Sequence, residues 1–165
     1  MSFGTTFSSY EELIANDLEP GDLIEINRGL YSHWVMFVNK CKSGMHWCFH
    51  AVATDDNAWS GSMMSSEAII RKDRLEDIME GNDSARINNK IDEAKRKECV
   101  HRPVNVVITN LERQKDKTVR YSLVELNCEH YVTIWKYGAG WSRQVENAHY
   151  VIDSVLGGIA RIFGC

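Results

Sequence analysis

The sequence predicts an α+β domain, an antiparallel sheet packed against a helix, on three observations. Two runs rich in aromatic and β-branched residues, Tyr31 to Val38 and Met45 to Val52, flank the polar, glycine-bearing segment Lys40 to Gly44, as the arms of a hairpin do. Just upstream, Asp22 to Asn27 alternates apolar and polar side chains, the pattern of a half-buried strand. Far downstream, Asn127 to Tyr137 sets Cys128, Tyr131, Val132 and Trp135 on one helical face; Asn127 is suited to cap its start and Gly138 its end.

In chain order, Tyr10 to Asn16 reads as a short helix that stops before Leu18-Glu19-Pro20-Gly21-Asp22, where Pro-Gly marks a turn. Arg28 and Gly29 break the first strand, so three antiparallel strands are expected up to Val52. Residues 55 to 66 are small, polar and irregular, and Glu67 to Arg71 begins another strand. The charged stretches Arg71 to Glu80 and Glu93 to Glu98 read as solvated surface. Asn82 to Lys90 is turn-like and polar, and Val104 to Ile108 is a β-rich run. Val151 to Phe163 has apolar residues at near-helical intervals, interrupted by Gly157 and Gly158, the mark of a weakened amphipathic helix. It either lies in a membrane interface or packs on the domain. The organisation expected is a domain over 1–148 and an amphipathic tail over 149–165. A bilayer-spanning tail is not expected, because a span needs about 20 apolar residues and this one carries Asp153 and Arg161.

The 165 residues suit one compact domain, 44% hydrophobic content is ordinary for a globular protein, and two prolines argue against long linkers. A net charge of -4 provides no general basis for holding a polyanion, so nucleic acid is not an expected partner. The first ten residues lack a basic segment followed by an apolar run, and five cysteines without regular spacing suit a reducing compartment. A cytoplasmic monomer is the expectation.

Chemistry is concentrated in cysteine and histidine. A thiol becomes a good nucleophile when a helix N-terminus or a neighbouring imidazole favours the thiolate, and Cys128 stands in the first turn of its helix. Its base must come from elsewhere in the chain; His33, His46, His50, His101, His130 and His149 are the candidates. Period-two alternation sends His46, Cys48 and His50 to one face, and an antiparallel neighbour can bring His33 onto it. One ring would then accept the thiol proton and a second would orient the first. The bland reading makes Cys128 a buried small hydrophobe and His33 a core histidine. Cys41, His46, Cys48 and His50 match no common zinc spacing, and no metal or other cofactor is expected. Trp34, Trp47 and Trp135 read as core, whereas Trp59 and Trp141 lie in poorly patterned segments.

The segments PGDLIEINRGLYSHWVMFV, GNDSARINNKIDE and NCEHYVTIWKYG resemble, in that order, signatures of the H-Ras-like suppressor family of phospholipase A and acyltransferase proteins, relatives of lecithin retinol acyltransferase. The resemblance covers most of Leu18 to Val145. It implies a permuted papain-like α+β fold and calcium-independent transfer of a fatty acyl group from a glycerophospholipid, through a cysteine thioester, to water or to an amine such as phosphatidylethanolamine. Carried over by position, Cys128 is the nucleophile, His33 the base and His50 the orienting residue, with His46 a competitor for the last role; Tyr31 lies near the oxyanion site and Asn127 supports it. Gly29 replaces the usual proline and Tyr131 the usual phenylalanine. Peripheral association with a membrane surface follows from the substrate. A retinol-type acyltransferase and a non-catalytic membrane-associated signalling adaptor are the alternatives.

Overall fold

The computed structural model describes residues 5–54, 66–80, 84–122 and 126–146. The strands are β1 (Thr6–Phe7), β2 (Leu23–Asn27), β3 (Ser32–Lys40), β4 (His46–Ala53), β5 (Ser66–Arg74), β6 (Ser84–Ile87) and β7 (Thr118–Tyr121). They form a seven-stranded sheet in the order β1-β6-β2-β3-β4-β5-β7, antiparallel throughout. The helices are α1 (Tyr10–Ile14), α2 (Leu75–Met79), α3 (Ile91–Arg96), α4 (Val104–Gln114) and α5 (Cys128–Tyr137). The α+β class and the β2-β3-β4 meander match the sequence reading. The tail from 149 onward, the Trp59 segment and His149 lie outside the described residues.

Side-chain alternation divides the core between the two faces of the sheet. Trp34, Met36, Val38, Phe49, Ala51 and Ile70 pack with Val107 and Leu111 of α4 and with Cys128, Tyr131, Val132 and Trp135 of α5. Ile24, Ile26, Val35, Phe37 and Cys48 pack on the other face with Leu13 of α1 and Leu75, Ile78 and Met79 of α2.

Three expectations need correction. The Val104–Ile108 run is helical: Val104, Val107, Ile108 and Leu111 recur at helical intervals, and burial of Val107 and Leu111 against the sheet outweighs β-branched propensity. Within the polar Asn82–Lys90 stretch, Ser84–Ile87 is a strand, because Ala85 is buried and Arg86 stands opposite Glu25 with Nε donating to its carboxylate at 2.6 Å. In the charged stretch Arg71–Glu80, Arg71–Arg74 completes β5 and the buried Leu75, Ile78 and Met79 of α2 belong to the core. At the Pro20-Gly21 turn, Gly21 has φ +91°, and a Cβ there would lie 2.9 Å from Val104 Cγ2, so both the turn and the close approach of α4 require glycine.

Candidate active site

The β3–β4 ladder runs from Met36–Phe49 to Lys40–His46 with a register shift between Phe37 and Asn39, while β2 pairs with β3 as far as Ser32. The first half of β3 is therefore paired on one edge only. Phe37 directs its amide and carbonyl at Asp22 and Gly21 on the β2 side, so alternation turns the Trp34 amide and the Ser32 carbonyl towards β4. Cys128 occupies this opening. Its thiol donates to the Ser32 carbonyl at 3.8 Å, and the Trp34 amide and Tyr121 hydroxyl face its sulfur. The sulfur is thus held against backbone groups on both sides of His33.

Local sequence explains why Cys128 is placed so firmly. The Asn127 side chain accepts hydrogen bonds from the amides of Glu129 and His130, and His130 Nδ1 accepts one from the Asn127 amide, a reciprocal cap that fixes the first turn. Gly138, at φ +77°, closes the far end. Glu129, fully buried, accepts from Lys90 Nζ at 2.5 Å, Ser142 Oγ at 2.5 Å, the Arg143 amide at 3.0 Å and both nitrogens of Gln144 at 3.2 and 3.3 Å. Gln144 in turn accepts from the Ser32 amide at 3.1 Å and donates to the Ser32 carbonyl at 3.4 Å. The segment after α5 therefore braces the strand residue that receives the thiol.

The histidines meet on the opposite face. His33 Nε2 and His50 Nδ1 are 2.8 Å apart, with ring centroids at 5.1 Å. His50 Nε2 lies 2.9 Å from Asp73 Oδ2, and Arg71 Nε lies 2.9 Å from the same oxygen. His46 is elsewhere: its Nδ1 pairs with the Tyr10 hydroxyl at 3.1 Å and its ring packs near Phe37. Of the two histidines left open as partner to His33, the contact is made by His50. Tyr31 is 38% exposed and lies close enough to Tyr121 to act on it electrostatically. His101 is exposed, and His130 serves the helix cap. Trp141, like Trp34 and Trp135, is buried, and Trp47 is partly so.

Burial sets the resting charge states. The Cys128 thiol is pushed up to about 11, chiefly by removal from water, against the smaller opposite pull of the Trp34 amide. His33 is driven down to about 3 by burial, then by His50 and Arg28, and His50 is lowered by burial more than the Asp73 carboxylate restores. Removal from water thus opposes the thiolate that the helix N-terminus would favour, and burial likewise disfavours the imidazolium of His33. Sequence reasoning missed Tyr121, Asp73, Glu129 and Gln144. Asp73 falls two residues after Arg71 on the strand beside His50, a legible signal; the others had none. Among the described residues, no group of three or more His, Cys, Asp or Glu is arranged to hold a metal ion.

Fold and site together define an α+β protein with a buried cysteine at a helix start, set into a strand that carries a paired histidine. Residues 16–140 match the lecithin retinol acyltransferase family, and the chain belongs to it. It is 33% identical over 153 residues to human phospholipase A and acyltransferase 4, covering 89% of this chain and 87% of that protein. It is 35% identical over 144 residues to rat phospholipase A and acyltransferase 1, covering 85% and 80%. Against human phospholipase A and acyltransferase 5 the identity is 37% over 133 residues, 78% of this chain and 44% of that longer protein.

Proposed function

We propose that this chain is a phospholipid-dependent acyltransferase and phospholipase A in which Cys128 is the nucleophile, His33 its base and His50 the residue that orients His33. The observation that carries the reading is the His33–His50 pair, Nε2 to Nδ1 at 2.8 Å, on the strand whose Ser32 carbonyl, next to His33 in the chain, receives the Cys128 thiol. The names of the relatives supply the reaction class. The sequence order, sheet histidine before helix cysteine, fits a permuted papain-like arrangement.

A neutral resting pair requires the proton to move as the sulfur attacks. His33 takes the thiol proton while Cys128 Sγ bonds to the ester carbonyl of a glycerophospholipid. The Cys128 amide, with Tyr31 and Tyr121 nearby, would face the developing oxyanion, while the Glu129 and His130 amides stay on the Asn127 cap and keep that turn in place. Collapse expels the lysophospholipid alkoxide, which takes the proton back from His33 and leaves an acyl-Cys128 thioester. Water then yields a fatty acid, or an amine such as phosphatidylethanolamine yields an N-acyl lipid, and the thiol is restored. No step calls for calcium. The protein acts as a monomer at a cytoplasmic membrane surface; among the described residues no helix is long and apolar enough to cross a membrane.

The test is incubation with vesicles of labelled phosphatidylcholine in the presence of a calcium chelator, followed by intact-protein mass measurement. A hydroxylamine-sensitive acyl adduct, absent in Cys128→Ala, is expected. Wild-type protein that binds the vesicles yet stays unmodified and releases no fatty acid would make it a non-catalytic adaptor, and transfer only to retinol would assign the other branch of the family.

A further inference from the structure

We propose that Asp73 is a positioning residue of this centre, acting through His50 to hold His33 in the tautomer whose bare nitrogen is Nδ1. The inference deepens the reading above and rests on His33 being the base. It begins with strand register. β4 and β5 pair His50 with Arg71 and Cys48 with Asp73, so His50, Arg71 and Asp73 share a face, and His33 joins them from β3. Asp73 reaches diagonally to His50 Nε2 at 2.9 Å. Arg71 grips both carboxylate oxygens, Nε on Oδ2 at 2.9 Å and Nη2 on Oδ1 at 3.1 Å, fixing the carboxylate plane.

Proton accounting then allows one arrangement. Burial pushes the Asp73 carboxyl up, but hydrogen bonds from His50 and Arg71 together hold it below the usual range. An ionised carboxylate only accepts, so His50 must carry its proton on Nε2. His50 is neutral, which leaves its Nδ1 bare. That nitrogen accepts across the 2.8 Å contact, so His33 must donate from Nε2. The one ring nitrogen of His33 left to receive a thiol proton is Nδ1. Were Asp73 absent, His50 could turn its N–H towards His33 instead, and His33 would present the wrong nitrogen to the sulfur. A simple surface ion pair with Arg71 would have no such reach, since the His50 side chain is only 8% exposed. The charged or titratable groups acting on His50 are His33, Asp73, Arg71 and Arg28.

The experiment has two independent arms. In the first, the full chain labelled with 15N-histidine is observed at pH 7: His33 and His50 should both show a protonated Nε2 and a bare Nδ1. A proton on His50 Nδ1 overturns the proposal, and this arm needs neither a variant nor lipid turnover, so it stands apart from failure of the enzymatic reading. In the second, Asp73→Asn is expected to lower kcat on phosphatidylcholine vesicles about ten- to a hundredfold with KM changed less than about twofold. Its kcat/KM acid limb should move to lower pH, because the charge that favours protonated imidazole is gone. Asp73→Glu should recover part of the loss. A folded Asp73→Asn variant with wild-type kcat and pH profile overturns the proposal as well; if that variant does not fold, the wild-type spectrum decides.

Discussion

Replacing Glu129 by Gln removes one charge from a fully enclosed pair and changes almost no volume. Lys90 is 1% exposed and Glu129 wholly buried, so among the described residues the ammonium left behind keeps Glu93, at 3.1 Å, as counter-charge, with the Trp34 ring 4.5 Å away. The two Glu129 oxygens also divide their donors: Lys90 and the Arg143 amide on Oε1, Ser142 and both Gln144 nitrogens on Oε2. Whichever way the new amide turns, its NH2 faces two or more donors. Breaking a buried pair from one side costs about 3–5 kcal/mol, which for a domain of this size lowers the thermal midpoint by roughly 6–20 °C. Lys90→Met should cost less, about 2 kcal/mol, because the carboxylate keeps its other donors. Urea titrations at pH 7 and calorimetry read both variants, and turnover on vesicles reads the loosened Gln144–Ser32 brace. A loss below about 1 kcal/mol for Glu129→Gln, or the reverse ranking of the two variants, would refute the electrostatic reasoning.

Gly21→Ala must fit a side chain 2.9 Å from Val104 at a left-handed φ, and should destabilise by about 1–3 kcal/mol in chemical denaturation. Tyr121→Phe removes a hydroxyl that favours the thiolate, so alkylation of Cys128 by iodoacetamide at fixed alkaline pH should slow with the fold unchanged by circular dichroism. Because His33 is held near 3 rather than 6.5, it stays unprotonated far into acid, and the acid limb of kcat/KM should fall below pH 5. The same shift has a stability sign: between about pH 3 and 6.5 the unfolded chain binds the His33 proton and the folded one does not, so stability should rise with pH across that window. A flat denaturation midpoint from pH 4.5 to 6.5 contradicts this.

How far the sequence was legible follows from how local each determinant is. The β2-β3-β4 meander and α5 were readable because alternation, the hairpin loop and an Asn cap with a terminal Gly all sit within a few residues of what they shape. α4 was misread because β-branched propensity was weighed over a short run, whereas its helical spacing emerges only when Leu111 is included. β6 was missed because its pairing rests on one buried alanine and an Arg86–Glu25 match sixty-one residues apart. At the site, motif order pointed to Cys128, His33 and His50, of which the structure pairs the two histidines, while the enclosure that pushes the Cys128 thiol up is visible in no spacing. Tyr121 and Gln144 approach through tertiary packing alone.

The unfinished β3–β4 ladder has a corollary for control. Each further rung zipped towards Ser32 would claim the Trp34 amide and the Ser32 carbonyl for β4 and evict the sulfur from them. Complete strand pairing and a seated Cys128 sulfur are therefore mutually exclusive. A mispaired sheet in this protein would be well hydrogen-bonded with its thiol displaced, a failure visible to a thiol probe and invisible to a measure of β content.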